Sequence, residues 1–410
     1  MGGLMDSYAD AVRQGTPEAY YPALREAGGI VYDEERNMYV VGDYAGARQA
    51  LSDPDGTSFL KDLAVVPWWL FTPHANPAAA EVMGTFTGYP GAIVGEVGQR
   101  HLDRRRIVGA AMNQAATGLR NTRIIDETVA RHVDRARTWA RSVPGEPFDL
   151  QADLIEPVAL DLLGQRLDLP REMKDLVAAT ATAQADFTWP ADPPPYEDQP
   201  DLAKSLIAMR DMCADLIDDH LAGASRPDSA TAHLVRAVGA GRLTREEAIA
   251  NLFGLVNASY ATTAGTVTRY LDHLLRSGGW AAVDPASPRF AHEVAQGLAV
   301  WTGVHGWMRR TADGGARLAD GRRLERGAAY VLVLIEAANQ DPDRGDDVLL
   351  SFSPAGQHRC LGENEAVRTA VSIVSALRAV FPRIQVHGEP ERRANLAFRT
   401  QAHLSVLLDA

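Results

Sequence analysis

Apolar residues recur every three to four positions along much of the chain, which is the spacing that predicts amphipathic helices. Short apolar runs between turn residues predict a few strands, so the chain is expected to be mainly α with small β-sheets. The predicted helices cover residues 17–27, 98–118, 122–142, 152–168, 171–186, 201–222, 244–276 and 362–380. The predicted strands cover residues 30–32, 38–41, 301–313, 328–337 and 392–409.

The longest predicted helix begins at a capping box. The side chain of Thr244 is placed to accept from the N–H of Glu247, whose carboxylate returns to the N–H of Thr244. The pattern continues to Arg276, roughly 48 Å at 1.5 Å per residue. Its middle, residues 257–265, is rich in small and hydroxyl side chains. Such residues let a flat ligand lie against the helix or, alternatively, let another helix pack closely.

Two segments interrupt the helical pattern. Residues 64–95 combine bulky apolar side chains with prolines and glycines, and residues 187–200 contain five prolines. The first is expected to be an irregular loop at a binding site, the alternative being a disordered surface loop. The prolines of the second segment exclude a helix within it, so it is expected to connect the helices on either side. Neither segment is a domain linker, so residues 1–410 are expected to form one domain.

The formal net charge of −12 argues against a general nucleic-acid role. Two cysteines, Cys213 and Cys360, are too few for a disulfide framework and favour a reducing compartment. The chain has no apolar run long enough to span a membrane and no basic, apolar leader at its start. These features predict a cytoplasmic protein that does not insert into a membrane.

Cys360 lies between a glycine-containing turn and the start of an apolar helical run. A helix N-terminus offers N–H donors and positive potential to a thiolate, and glycines let the backbone approach it closely. This is an environment in which a cysteine can ligate haem iron. The alternative is a buried structural cysteine.

The loop resembles the cysteine-ligand signature of the cytochromes P450, the haem-thiolate monooxygenases. The positions that carry the resemblance are Gly356, His358, Cys360 and Gly362. The resemblance implies the cytochrome P450 fold, with haem b between a long distal helix and the cysteine loop. It implies Cys360 as the iron ligand and the other three as cofactor-binding residues. One difference is local, because Ser353 stands where the family usually has Phe, with Phe352 one step away.

Further resemblance implies which residues hold the haem propionates. His101 and Arg105 are four residues apart and share a helix face, which suits an anionic group. Taken alone they indicate a solvated basic face, but the family places propionate ligands here. Arg309 falls where another propionate-binding arginine is expected. The neighbouring arginines, 104 and 106, are expected to face a redox partner.

The resemblance also assigns the distal side. Thr262 occupies the position of the family's catalytic alcohol, whereas Ala261 replaces the usual acid and cannot relay protons. Asn257, one turn earlier, is expected to hold a water molecule there. Other expected neighbours of haem or substrate are Ala258, Gly254, His305 and Trp307. A structural role is the alternative for His305.

A second difference concerns the proximal side. The family's Glu-x-x-Arg motif is missing, because Gly297 and Val300 stand at its two positions. The segment between Pro342 and Cys360 is also shorter than usual. Removing all partners of a buried ion network together can leave the stability of the protein nearly unchanged. We therefore expect other contacts to replace the network on the proximal side, where the cysteine lies.

The resemblance implies an oxidoreductase that oxidises a small specialised metabolite with O2 and electrons from a ferredoxin and its reductase. A variant of this activity is oxidative coupling of two centres. An alternative from another class is a haem-binding pseudo-enzyme or scaffold without oxygen chemistry, which the missing motifs favour. Retention of Cys360 and Thr262 argues against it.

Overall fold

The computed structural model describes residues 4–34, 36–53, 56–61, 67–85, 91–116, 119–223, 228–354, 356–390, 394–399 and 403–409. Helices dominate the described part of the chain, as predicted. Their bounds are α1 Leu4–Arg13, α2 Tyr21–Glu26, α3 Tyr44–Ser52, α4 Pro77–Thr85, α5 Gly98–Ala116, α6 Leu119–Ser142, α7 Glu156–Leu167, α8 Arg171–Thr188, α9 Gln199–Leu221, α10 Ala230–Gly239, α11 Arg245–Arg276, α12 Phe290–Val300, α13 Ile335–Asn339 and α14 Glu363–Val380. Within the described residues, no helix is both long and apolar enough to cross a membrane.

Helix α11 is the central element, and its predicted start is confirmed. Thr244 Oγ1 accepts from the N–H of Glu247 at 3.1 Å, and the Glu247 carboxylate accepts from the N–H of Thr244 at 3.0 Å. The helix packs against α7, α8, α9, α10 and α12. Most of its apolar side chains are buried in the larger of two hydrophobic clusters.

The strands of the described residues form three small sheets. Their bounds are β1 Ile30–Asp33, β2 Met38–Val41, β3 Phe59–Leu60, β4 Phe148–Asp149, β5 Gly306–Thr311, β6 Ala316–Arg317, β7 Arg323–Leu324, β8 Tyr330–Leu334, β9 Arg383–Val386 and β10 Ser405–Asp409. The largest sheet has the order β1-β2-β8-β5-β3, in which only β2 and β8 run parallel. All five residues of β8 are buried, which explains its continuous apolar run.

Residues 64–95 are more regular than predicted. They contain a 3-10 turn, Trp68–Phe71, and helix α4, while 64–66 and 86–90 lie outside the described residues. The prediction of an irregular loop was wrong for α4. Asn76 accepts from the N–H of Ala78 at 3.0 Å and so caps the helix, and Pro77 occupies a first-turn position that needs no N–H.

The proline-rich segment 187–200 is held on two sides. Trp69 Nε1 donates to the carbonyl of Phe187 at 2.8 Å, which ties the segment to the Trp68–Phe71 turn. On the other side the carbonyl of Trp189 accepts from the N–H of Leu396 at 2.8 Å. The segment predicted to lie at a binding site therefore contacts the proline-rich segment.

A buried carboxylate joins three distant parts of the chain. Glu336 in α13 is 1% exposed and forms ion pairs with Arg269 of α11 and with Arg399 near the C-terminus. The Tyr21 hydroxyl donates to the same carboxylate at 3.1 Å. Burial alone would raise the pKa of Glu336, but the two guanidinium groups hold it below its usual value. This network ties α13 to the long helix.

Replacing Glu336 by Gln should lower the free energy of unfolding by about 3 kcal/mol or more, because the buried Arg269 loses its carboxylate and Arg399 is left with that of Glu18. Urea unfolding measures the change. The matched control is Glu293→Gln on the exposed face of α12, which should stay within about 0.5 kcal/mol of the wild type. Equal effects of the two substitutions would contradict the role given to the network.

Candidate active site

Cys360 lies at the end of a loop that turns back on itself before α14. Phe352 and Ser353 have φ angles of 61° and 52°, in the left-handed region. The reversal lets the N–H of Cys360 donate to the carbonyl of Phe352 at 2.8 Å. Phe352 thus supports the cysteine through its main chain.

The surroundings of the Cys360 sulfur suit a metal-bound thiolate. Burial raises the pKa of the thiol, while the N–H groups of Gly362 and Glu363 and the charge of Arg105 act in the opposite direction. The residue is nevertheless exposed, so a ligand can reach it. A bound cation would stabilise the thiolate further and shift this balance.

Gly356 is required by close packing beneath the loop. A Cβ atom there would lie 3.0 Å from Ser52 Cα and 3.1 Å from the Leu51 carbonyl oxygen. Both are main-chain atoms at the end of α3, so they cannot move aside as a flexible side chain would. Gly356 therefore fixes how the cysteine loop lies against α3.

Neutral hydrogen bonds link the elements on the proximal side. The Ser351 hydroxyl donates to the carbonyl of Ala299 in α12 at 2.6 Å. Asn339 donates to Ser351 Oγ at 3.1 Å and accepts from the N–H of Leu350 at 2.7 Å. These contacts join α12, α13 and the cysteine loop without a charged group. They are the rebuilt connection that the sequence led us to expect.

The structure also gives a reason for the missing Glu-x-x-Arg motif. A Cβ atom at Gly297 would lie 2.2 Å from the ring of Tyr270, so no larger side chain fits at the first position. Val300, at the second position, is 41% exposed and does not point into the core. Tyr270 of α11 therefore fills the space beside the position where the acid would begin.

One face of α11 is open although the helix lies inside the protein. Ala258 is exposed, its neighbours Ala261 and Thr262 are half-buried, and a Cβ atom at Gly254 would meet no atom within 4 Å. Tyr260, on another side, is buried and interacts with Glu156 of α7. The open residues recur at the spacing of one helix face, which suits contact with a flat ligand.

Two polar groups of this part of α11 can handle protons. The Thr262 hydroxyl donates to the carbonyl of Ala258, which leaves its oxygen free to accept. Asn257 Oδ1 is buried and has no hydrogen-bond partner in the described part of the chain. A buried amide oxygen without a partner is a site that a water molecule can satisfy.

His101 and Arg105 fasten α5 to the cysteine loop. His101 Nε2 lies 3.1 Å from the carbonyl oxygen of Gln357, and its Nδ1 lies 3.0 Å from that of Ile93. Arg105 donates to the carbonyl of Arg359. The predicted propionate role of His101 and Arg105 stays a prediction, and both ring nitrogens of His101 already face carbonyl oxygens.

Three further basic residues, His358, Lys61 and Arg309, complete this side of the site. The His358 ring stacks on His101 with ring centroids 3.9 Å apart. Burial, with Lys61 and other nearby cations, lowers the pKa of His358 to about 2. Arg309 on β5 is buried, and its Nε has no hydrogen-bond partner among the residues that the structure describes. The site therefore concentrates positive charge with few acceptors.

The two remaining residues predicted for the site, Trp307 and His305, lie in different surroundings. Trp307 lies on β5 two residues before Arg309, on the same strand face, and packs edge-on against Trp189 with centroids 5.2 Å apart. His305 is 1% exposed and its Nε2 faces the carbonyl oxygen of Asn395 at 3.3 Å. His305 therefore lies beside the Glu336 network, in the structural position that was its alternative.

The neighbouring arginines of α5 differ from each other. Arg104 is largely buried and forms ion pairs with Glu96 and Glu247, so it ties α5 to the start of α11. Its expected role in facing a redox partner was wrong, because its charge is used inside the fold. Arg106 is exposed and pairs with Asp103 at 2.8 Å.

Sequence reasoning missed Lys61, Asn339 and Ser351. Lys61 follows a two-residue strand that gave no pattern, and the other two carry no charge that would have marked them. A cue for Lys61 was available, since the chain has only three lysines among its 41 basic residues.

The described residues fit a haem group. Buried cations suit its carboxylates, the open face of α11 suits its flat ring, and the exposed Cys360 suits its iron.

Gly356→Ala should distort the cysteine loop and lower the free energy of unfolding by about 1–3 kcal/mol, because the new methyl group meets main-chain atoms. Urea unfolding measures this change. Gly109→Ala in α5 is the matched control, since its Cβ would lie 3.6 Å from Leu361, an ordinary contact. A Gly356→Ala variant as stable as the wild type would refute the packing argument.

No protein-family model matches the chain. Protein AknT of Streptomyces galilaeus is 25% identical over 362 residues, covering 86% of this chain and 78% of AknT. The 20-oxo-5-O-mycaminosyltylactone 23-monooxygenase of Streptomyces fradiae is 27% identical over 300 residues, covering 69% of this chain and 62% of that protein.

Solved structures agree over nearly the whole chain. Cytochrome P450 CREJ in complex with (4-ethylphenyl) dihydrogen phosphate superposes with a TM-score of 0.82 at 23% identity, covering 96% of this chain and 98% of that one. Mycobacterium smegmatis CYP164A2 superposes with a TM-score of 0.78 at 22% identity, covering 99% and 100%. The predicted resemblance is confirmed: the chain has the cytochrome P450 fold.

Proposed function

We propose that the chain is a haem-thiolate monooxygenase that oxidises a small specialised metabolite. The observation that carries the proposal is the environment of Cys360. The N–H groups of Gly362 and Glu363 at the start of α14 oppose the rise in the pKa of its thiol that burial causes, and the residue is exposed to a ligand. The names of relatives support the substrate class, since one of them is a monooxygenase acting on a tylactone derivative.

The residues that would hold haem b come from four elements. Cys360 would ligate the iron, Arg309 and Arg105 would face the carboxylates, and the face of α11 around Ala258 would lie against the ring. When bound, the haem supplies reductive activation of dioxygen, and the thiolate ligand favours cleavage of the O–O bond. Hydroxylation consumes dioxygen, two electrons and two protons, and yields the alcohol and water.

The chain itself supplies positioning and protons. The N–H groups that face the Cys360 sulfur stabilise its negative charge and limit the approach of protons to it. Asn257 holds a water molecule at its unpartnered oxygen, and Thr262 passes protons from that water toward the distal side of the site. This arrangement substitutes for the acid that Ala261 cannot provide.

The remaining partners follow from the same proposal. A ferredoxin with its reductase supplies the electrons, and the reaction takes place in the cytoplasm. The substrate lies between the open face of α11 and the contact of the Trp68–Phe71 turn with residues 187–200. The rings of Trp69 and Phe187 meet edge-on in this contact with centroids 5.0 Å apart, and such apolar surroundings suit a substrate of low polarity.

A pseudo-enzyme or scaffold is the second candidate. The observations that favour it are the alanine at the acid position and the neutral hydrogen bonds that replace an ionic network. Oxidative coupling is a variant of the first candidate, to which loss of the acid also points. Product formation with a surrogate ferredoxin and reductase distinguishes the two candidates, because only an enzyme would oxidise a substrate.

The ferrous carbon monoxide adduct of the wild type should show the red-shifted Soret band of thiolate ligation, and Cys360→Ala should lose it. Absorption spectroscopy of the purified proteins makes the comparison. Cys213 is buried in α9, so Cys213→Ala is the matched control and should keep the band. Survival of the band in Cys360→Ala would show that another group ligates the iron.

Thr262→Ala and Asn257→Leu should each lower product formed per electron consumed by at least about tenfold, because proton delivery is impaired. Product and hydrogen peroxide are measured together against reductant. Ser259→Ala is the control, because its hydroxyl donates to the Leu255 carbonyl at 2.7 Å away from the open face. Coupling equal to that of the wild type in both variants would mean that protons arrive by another route.

A further inference from the structure

Lys61 and Arg309 lie opposite each other on one sheet face. Strands β3 and β5 are antiparallel, with Phe59 opposite Thr311 and Leu60 opposite Arg310. The same register continued by one residue places Lys61 opposite Arg309. Side chains directly opposite on neighbouring strands share a face and approach closely, and like charges so placed repel.

Both cations are buried, and no carboxylate of the described residues pairs with either. Each residue is 2% exposed. Lys61 Nζ donates to the carbonyl of Asp53 at 3.0 Å, and Arg309 donates to the carbonyl of Met308 at 2.8 Å. Among the residues that the structure describes, neither cation forms an ion pair, although the Asp53 carboxylate is near enough to favour both charges.

The Asp53 carboxylate already accepts hydrogen bonds from the main chain. Its Oδ2 accepts from the N–H groups of Ser58 and Phe59 at 2.9 and 2.7 Å. Burial and the charge of Arg309 lower the pKa of Lys61 to about 8. Two buried cations that repel each other are stable only if an anion joins them.

The other two lysines of the chain are placed quite differently. Lys174 pairs with Asp161 and Lys204 with Asp201, and the Lys204 side chain is 65% exposed. In a chain whose 41 basic residues are otherwise arginines, a fully buried lysine stands out. An ammonium group is a compact point charge on a flexible stem and fits where a planar guanidinium does not.

The other basic groups nearby are partly engaged. Both nitrogens of His101 face carbonyl oxygens, and Arg105 donates to the carbonyl of Arg359. His358 stacks on His101. The unengaged donors that remain deepest in this cluster are therefore those of Lys61 and Arg309.

We propose that Lys61 binds a propionate carboxylate of the haem together with Arg309. This inference rests on the proposed function, because it takes the anion to be part of the haem. Lys61 thus supplies hydrogen bonds that the engaged ring of His101 does not.

The test is haem transfer from the holoenzyme to excess apomyoglobin. Lys61→Met should release iron protoporphyrin IX at least about tenfold faster than the wild type, because a buried carboxylate loses a cationic partner. Lys61→Gln, which keeps a donor for the Asp53 carbonyl, should behave the same way and guards against a folding defect. Lys204→Met should match the wild type.

Reconstitution with iron protoporphyrin IX dimethyl ester separates direct contact from indirect effects. The ester has no carboxylate charge, so wild type and Lys61→Gln should release it at rates within about twofold of each other. Equal release of free-acid haem by both proteins, or the same acceleration with the ester, would overturn the proposal. A wild type that retains no haem at all would instead overturn the proposed function, and this inference with it.

Discussion

The structure depends on holding one sulfur atom at the start of one helix. Cys360 is placed by a main-chain hydrogen bond to Phe352 and by close contact of Gly356 with α3. Its sulfur then faces the N–H groups that begin α14. These donors, together with the charge of Arg105, stabilise negative charge on the sulfur, so the sulfur can carry charge to a metal. The remaining site features matter only if this geometry is kept.

The proximal side shows how a buried ionic network can be absent without breaking the fold. An unpaired buried charge is costly, whereas neutral groups that satisfy one another are not. Asn339 and Ser351 connect α13, the cysteine loop and the Ala299 carbonyl with hydrogen bonds alone. Glu336 lies one turn before Asn339 in α13, and there it forms buried ion pairs with Arg269 and Arg399. The charged network of this chain thus ties α13 to α11.

Local patterns could be predicted from the sequence, and long-range pairings could not. The capping box at Thr244 and the loop around Cys360 are complete within a few residues, so both were recognisable. The Asn76–Pro77 helix start was equally local but was hidden by the irregular composition around it. Glu336 meets partners far away along the chain, and Lys61 faces Arg309 only because a two-residue strand pairs with β5. Such contacts exist only once the fold is formed.

The central claim is a bond between the Cys360 sulfur and iron. X-ray absorption at the iron edge of the purified ferric protein measures the atoms bound to the metal directly. The account predicts a first coordination shell containing one sulfur, which Cys360→Ala replaces by a lighter atom. A first shell of nitrogen and oxygen alone in the wild type would contradict it.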